Sequence, residues 1–269
     1  MEKAKYKVHL SLISSLHYAK LVFRSVLFLG ALAVYIMGRV RADADSLALT
    51  DLLQHNAIMD VIWVVFAVEM LLRFFPSRVE SMGCQKQFAK NFSPNRAGAL
   101  PEKSKRSHGM LVSAAVWIAL NGTIGALYFT GVIDSGILLL ISLAYSVCDM
   151  VCILFFCPFQ TWFMKNKCCT TCRIYNWDYP MMFTPLLFVP SVYTWSILAL
   201  ALGLLARWEI TYHNHPEWFY ESTNHSLACA NCQEKLCHHK KSLRQLWRTS
   251  KQVVSEKLPP LPRRMGNIE

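Results

Sequence analysis

Apolar positions fall into five long runs, 21–37, 57–75, 110–132, 137–159 and 181–206, separated by shorter polar and basic stretches. About twenty residues of helix, rising 1.5 Å each, match the thickness of a bilayer's hydrocarbon core. Each run therefore predicts a transmembrane helix. Arg24 stands at the start of the first run, where a long cationic side chain is expected to snorkel to the headgroups. Gly122 and Ala126, four apart in the third run, offer a small-residue face for close helix approach. Asp134-Ser135-Gly136 predicts a tight turn into the fourth run, and Pro180, Pro185 and Pro190 predict an irregular fifth. Residues 1–20 are too long and too interrupted for a typical signal peptide, and no internal repeat is evident.

The expected architecture is an all-α, polytopic transmembrane bundle of about five spans. A basic lead (1–20) precedes the membrane domain (21–206), whose basic loop at 76–109 reads as a mobile excursion. A polar Cys/His-rich tail (207–269) follows. Lys and Arg number fourteen in the lead, the 76–109 loop and the loop after the fourth run, against two in the first loop and none in the third. That asymmetry predicts a multi-pass protein with a cytoplasmic N-terminus. Five spans then put the tail outside, although it carries ten Lys or Arg. A fifth run that enters the membrane and returns without crossing would remove the conflict.

Composition sharpens the picture. Apolar residues make up 54% of the chain and charged ones 17%, too apolar for an ordinary soluble domain. The net charge of +11 lies between the apolar runs and in the tail, which argues for the lipid bilayer as partner and against nucleic acid. A protein partner for the basic tail is a further expectation, and Leu258 to Arg264 reads as a short extended segment.

Two of the candidate sites are cysteine clusters, drawn from ten cysteines. Cys229-x2-Cys232 places two thiols on one tight turn. With Cys237 and His238 or His239 they make a tetrahedral set suited to zinc or an iron–sulfur cluster. The alternatives are a disulfide or a redox dithiol. Cys168, Cys169 and Cys172 form a second cluster, whose neighbours Lys167 and Arg173 would favour a thiolate and whose juxtamembrane position also suits lipidation. With the fifth run as a span, the two clusters fall on opposite faces. Glu209 and His213, with His215 and His225 nearby, form a weaker ligand group at a helix end.

Inside the runs, Glu69 and Asp149 are carboxylates at similar depth, costly unless partnered or functional. They suggest an ion or proton site; the structural reading pairs Glu69 with Arg73 and Asp149 with Tyr145. Cys148, Cys152 and Cys157 read as small buried hydrophobes, although Cys148 and Cys152, a turn apart beside Asp149, would also suit a thiol relay. The leading expectation is a metal-binding or thiol-redox membrane protein. In its redox form, a Cys-x2-Cys pair passing electrons to a quinone, the helical-bundle architecture is similar in outline to the vitamin K epoxide reductase family. The rivals are a small transporter or channel using Glu69 and Asp149, and a membrane scaffold without chemistry.

Overall fold

The computed structural model describes residues 11–42, 57–78, 80–95, 103–166, 168–232 and 234. Cys237, His238, His239, most of the basic lead and the Pro-rich terminus lie outside the described residues. The long helices are α1 (Leu12–Ala42), α2 (Ala57–Arg73), α4 (Lys103–Phe129), α5 (Ser135–Leu154) and α7 (Val192–Asn214). Two short ones, α3 (Met82–Gln85) and α6 (Asp178–Phe183), lie between them.

Three of these helices contain segments long and apolar enough to cross a membrane: Leu12–Val40, His108–Phe129 and Ser135–Leu154. Helix α2 is shorter and carries Asp60, Glu69 and Arg73. Both α2 and α7 nevertheless turn large apolar side chains outward, among them Val61, Val64 and Leu72 on the first and Val192, Leu202 and Ile210 on the second. An apolar exterior around a packed bundle is the pattern a bilayer solvates.

The run at 181–206 is not one span. Helix α6 continues into a 3-10 turn over Thr184–Phe188, the chain reverses through Pro190, and α7 begins at Val192. Hydrogen bonds tie both ends of the resulting hairpin. Trp208 Nε1 donates to the Arg173 carbonyl at 3.0 Å and Trp177 Nε1 to Glu209 Oε1 at 2.7 Å, while Thr194 Oγ1 donates to the Val189 carbonyl at 2.6 Å. The chain thus enters along α6 and returns along α7 to the end it came from. Its irregular backbone is tolerated because it is enclosed in protein, with Tyr179, Met182, Phe183 and Leu186 buried in the core against Phe66 and Met70 of α2, Leu139 and Leu143 of α5, and Ile197, Ala201 and Leu204 of α7.

This return overturns the expectation that the two cysteine clusters lie on opposite faces. Both abut the 80–95 segment. Lys86 Nζ donates to the carbonyls of Thr170 and Cys172 at 3.0 and 2.7 Å. From the other side, His225 N donates to the Ser93 carbonyl at 2.7 Å, and Ser81 Oγ donates to Glu234 Oε1 at 2.6 Å. Nor is the segment a mobile excursion, since Cys84, Gln85, Lys86, Gln87 and Phe88 are all buried. The packing of Lys86 beside the rings of Trp208 and Phe219 explains why a basic stretch folds inward.

Close helix approach occurs at a different glycine from the expected one. A Cβ on Gly122 would meet open space, whereas one on Gly125 would strike the Phe188 ring at 2.5 Å. The turn before α5 is as expected, with Asp134 capping the helix by accepting from Ile137 N at 2.9 Å.

Candidate functional site

Two side-chain systems meet beneath the capped end of the bundle, one of charges and one of thiols. The first begins with Arg24. It does not snorkel: only 1% of its side chain is exposed, and it points inward. Arg24 Nη2 lies 2.8 Å from Glu69 Oε2, and Nη1 lies 3.1 Å from both Asp149 Oδ2 and the Ser146 carbonyl. Glu69 also accepts from the Tyr179 hydroxyl at 2.9 Å and pairs with Lys20 at 3.6 Å. Lys20 reaches Glu80 at 3.4 Å. Glu80 contacts Arg73 at 3.9 Å, and Arg73 binds Asp178 at 2.6 Å. The expected pairings of Glu69 with Arg73 and of Asp149 with Tyr145 are therefore replaced. Glu69 and Asp149 do meet, through the guanidinium between them. Burying so many charges is tolerable only because each is paired.

The thiol system lines a cavity of about 140 Å³ with an almost wholly apolar wall. One stripe of α5 contributes Tyr145, Cys148, Asp149, Cys152 and Ile153, the three-to-four-residue spacing of a single helical face. Helix α5 stops at Leu154, so Cys157 swings back to the same wall, with Phe159 and Gln160 of a short π-helical turn behind it. Cys169 and Cys172 come from the following loop, Asp178 and Met182 from α6, and Trp117 from α4. Cys148 is exposed on the outer surface of α5, where the cavity's rim lies.

Cys152 and Cys157 are neighbours on this wall. The backbone N–H of Gln160 points at the Cys157 sulfur, at 3.4 Å. The neighbouring Cys152 thiol, most of all, and this N–H hold the Cys157 thiol down at about 7. The Cys169 thiol donates to Gln160 Oε1 at 2.8 Å and to the Cys152 carbonyl at 3.8 Å. Cys172 is buried, and burial pushes its thiol up to about 11. Arg173 turns away from the cluster to clasp Glu209 through both guanidinium nitrogens, stacked 3.6 Å from the Tyr212 ring.

The remaining expected site residues fall elsewhere. Cys229 and Cys232 stand on a short 3-10 turn, the first exposed and the second partly so, and no disulfide joins them. Glu209 is committed to Arg173 and Trp177, His213 is exposed, and His215 stacks on Trp218 at 4.1 Å. Among the described residues no three His, Cys, Asp or Glu side chains are grouped to hold a metal ion.

Gln160 and Asp178 carry no signal of their own in the sequence, and Arg24 and Cys157 stand there only as a snorkelling cation and a small buried hydrophobe. A signal for Arg24 was available, because a cation inside an apolar run has a reason to be there when two carboxylates occupy neighbouring runs. Cys157 had a weaker one, its position before Pro158, which disfavours helix at the preceding residue.

No family model matches the sequence, and no curated protein or solved structure is similar to it.

Proposed function

We propose that this protein is a membrane thiol–disulfide oxidoreductase whose reactive pair is Cys152 and Cys157, with Cys169 and Cys172 as a neighbouring second pair and a membrane quinone as electron acceptor. The observation that carries the reading is the placing of Cys152 and Cys157 together on the wall of an apolar cavity, with the Gln160 N–H aimed at the Cys157 sulfur. The low-lying Cys157 thiol supplies a thiolate near neutral pH, the form that reacts. A cavity of about 140 Å³ takes one six-membered ring, since an engineered cavity of about 150 Å³ binds benzene. Cys148, which lines the cavity, is exposed on α5, one of the helices apolar enough to lie in a membrane, and would admit a quinone from that side. In the reaction the two sulfurs bond and give up two electrons, and the quinone takes these with two protons to become the quinol.

The carboxylates Glu69 and Asp149 serve in this reading as counter-charges to Arg24 rather than as a transport path, because the cation between them is part of the chain. The returning hairpin, with the basic 80–95 segment packed at its open end, supports a cytoplasmic position for that end of the bundle.

The test uses the full-length protein, reduced and then treated with a short-chain benzoquinone. The expected product is a Cys152–Cys157 disulfide, seen as a loss of two hydrogens in the linking peptide, with Cys157→Ser preventing it. Two thiols still fully alkylatable after treatment would defeat the reading. Metal analysis of the same sample tests the zinc and iron–sulfur alternatives at Cys229, Cys232, Cys237 and His238 or His239.

A further inference from the structure

Six ion pairs form a chain, unbranched among the described residues, in which sign alternates at every step: Asp149, Arg24, Glu69, Lys20, Glu80, Arg73, Asp178. Both of its ends are carboxylates, and both line the thiol cavity. Among the described residues four carboxylates thus face three cations, which leaves one negative charge uncompensated. Its place is set by geometry. Glu69 and Glu80 each sit between two cations, whereas the two terminal carboxylates have one each. Asp178 Oδ1 is buried without a hydrogen-bond partner, on a side chain only 5% exposed. Two carboxylates sharing an apolar cavity do not both ionise, because the second charge would meet the first with little water between them.

We infer that Asp149 and Asp178 together hold one proton at the cavity, and that this proton is delivered when the Cys152–Cys157 pair is oxidised. The delivery half rests on the proposed thiol chemistry; the stored proton does not. With Cys157 as a thiolate, the pair carries two electrons for the quinone but only one proton, that of Cys152. The carboxyl pair supplies the second. Reduction of the disulfide by an incoming dithiol restores the starting state: one incoming proton returns to Cys152, the other to the carboxyl pair. The charged and titratable groups facing the pair are Arg24 and Lys20 from α1, Glu69 and Arg73 from α2, Glu80 from the segment after it, Tyr179 from α6, Cys169, Cys172 and Tyr175 from the loop before α6, and Tyr145, Cys148, Cys152 and Cys157 on the α5 side. His17 of α1 is buried.

Infrared spectroscopy of the full-length protein at neutral pH tests the store directly. The expected result is a protonated-carboxyl stretch that disappears in both Asp149→Asn and Asp178→Asn, since either change leaves three carboxylates against three cations. Its absence from the wild type, or its persistence in both variants, overturns the inference. The second measurement is the rate of disulfide formation with a short-chain benzoquinone. Loss of a positioned proton donor lowers it about 100-fold or more in Asp149→Asn, and Asp149→Glu restores it, while alkylation of Cys157, which needs only the thiolate, keeps its wild-type rate. Oxidation of Asp149→Asn at the wild-type rate overturns the delivery step. If the wild type itself forms no disulfide, the thiol chemistry fails, and the infrared band still decides the proton site.

Discussion

Replacing Arg24 with Met separates a buried structural cation from a snorkelling one by magnitude. The substitution keeps the aliphatic bulk and removes a guanidinium whose nitrogens lie 2.8 Å from Glu69 and 3.1 Å from Asp149. Glu69 retains Lys20 and the Tyr179 hydroxyl. Asp149 retains no ion-pair partner among the described residues, so most of the penalty falls there. Removing one partner of a buried pair costs about 3–5 kcal/mol, because the other charge is left uncompensated. A snorkelling Arg24 would instead cost about 0–1 kcal/mol, as exposed pairs do. The assay is equilibrium unfolding in detergent, run as a cycle of Arg24→Met, Asp149→Asn and the double variant. The double variant should recover most of the loss, since it removes the orphaned charge as well. Pairing Arg24→Met with Glu69→Gln should recover less. A single-variant cost below about 1 kcal/mol, or no recovery in the double variant, would refute the inward ion pair.

Other predictions concern the capped end. Burial lowers the Lys86 ammonium from 10.5 to about 7, and the neighbouring Cys152 thiol lowers the Cys157 thiol from 9.0 to about 7. Between pH 7 and about 8 the unfolded chain therefore holds protons that the folded chain has released, and stability should rise with pH. Lys86→Met should reduce that slope in unfolding curves across the window, and adding Cys157→Ser should flatten it; an unchanged slope would contradict both assignments. Glu234 Oε1 accepts from Ser81 Oγ at 2.6 Å and from Met82 N at 2.8 Å. Glu234→Ala should cost about 1–3 kcal/mol and speed hydrogen exchange at residues 80–95, where wild-type protection would speak against the clasp.

The fold's class was legible in the sequence because bilayer solvation imposes its period directly on composition. Long apolar runs, basic flanks and the capping turn at Asp134 are local properties, and the structure realises them. The fifth run misled for a definable reason. Run length reports apolarity, and apolarity is the same whether a segment meets lipid or the interior of a bundle. Pro185 and Pro190 marked the irregularity, but only the packing of Tyr179, Met182 and Leu186 shows that the segment turns back. That return also brings the Cys168–Cys172 loop and the turn that holds Cys229 and Cys232 to one end, against the 80–95 segment.

The site divides the same way. The sequence by itself determined which residues had to be accounted for, since Glu69 and Asp149 in apolar runs and the clustered cysteines each carry a cost or a reactivity that composition alone exposes. It could not determine their partners. Arg24, Glu69 and Asp149 are separated by 45 and 125 residues along the chain yet joined by hydrogen bonds in space. Cys157 comes back to Cys152 only because α5 ends at Leu154. Spacing along a helix reaches three or four residues, whereas charge pairing and cavity walls are made across helices. The tertiary structure alone decided that the thiols and the two ends of the ion chain share one cavity.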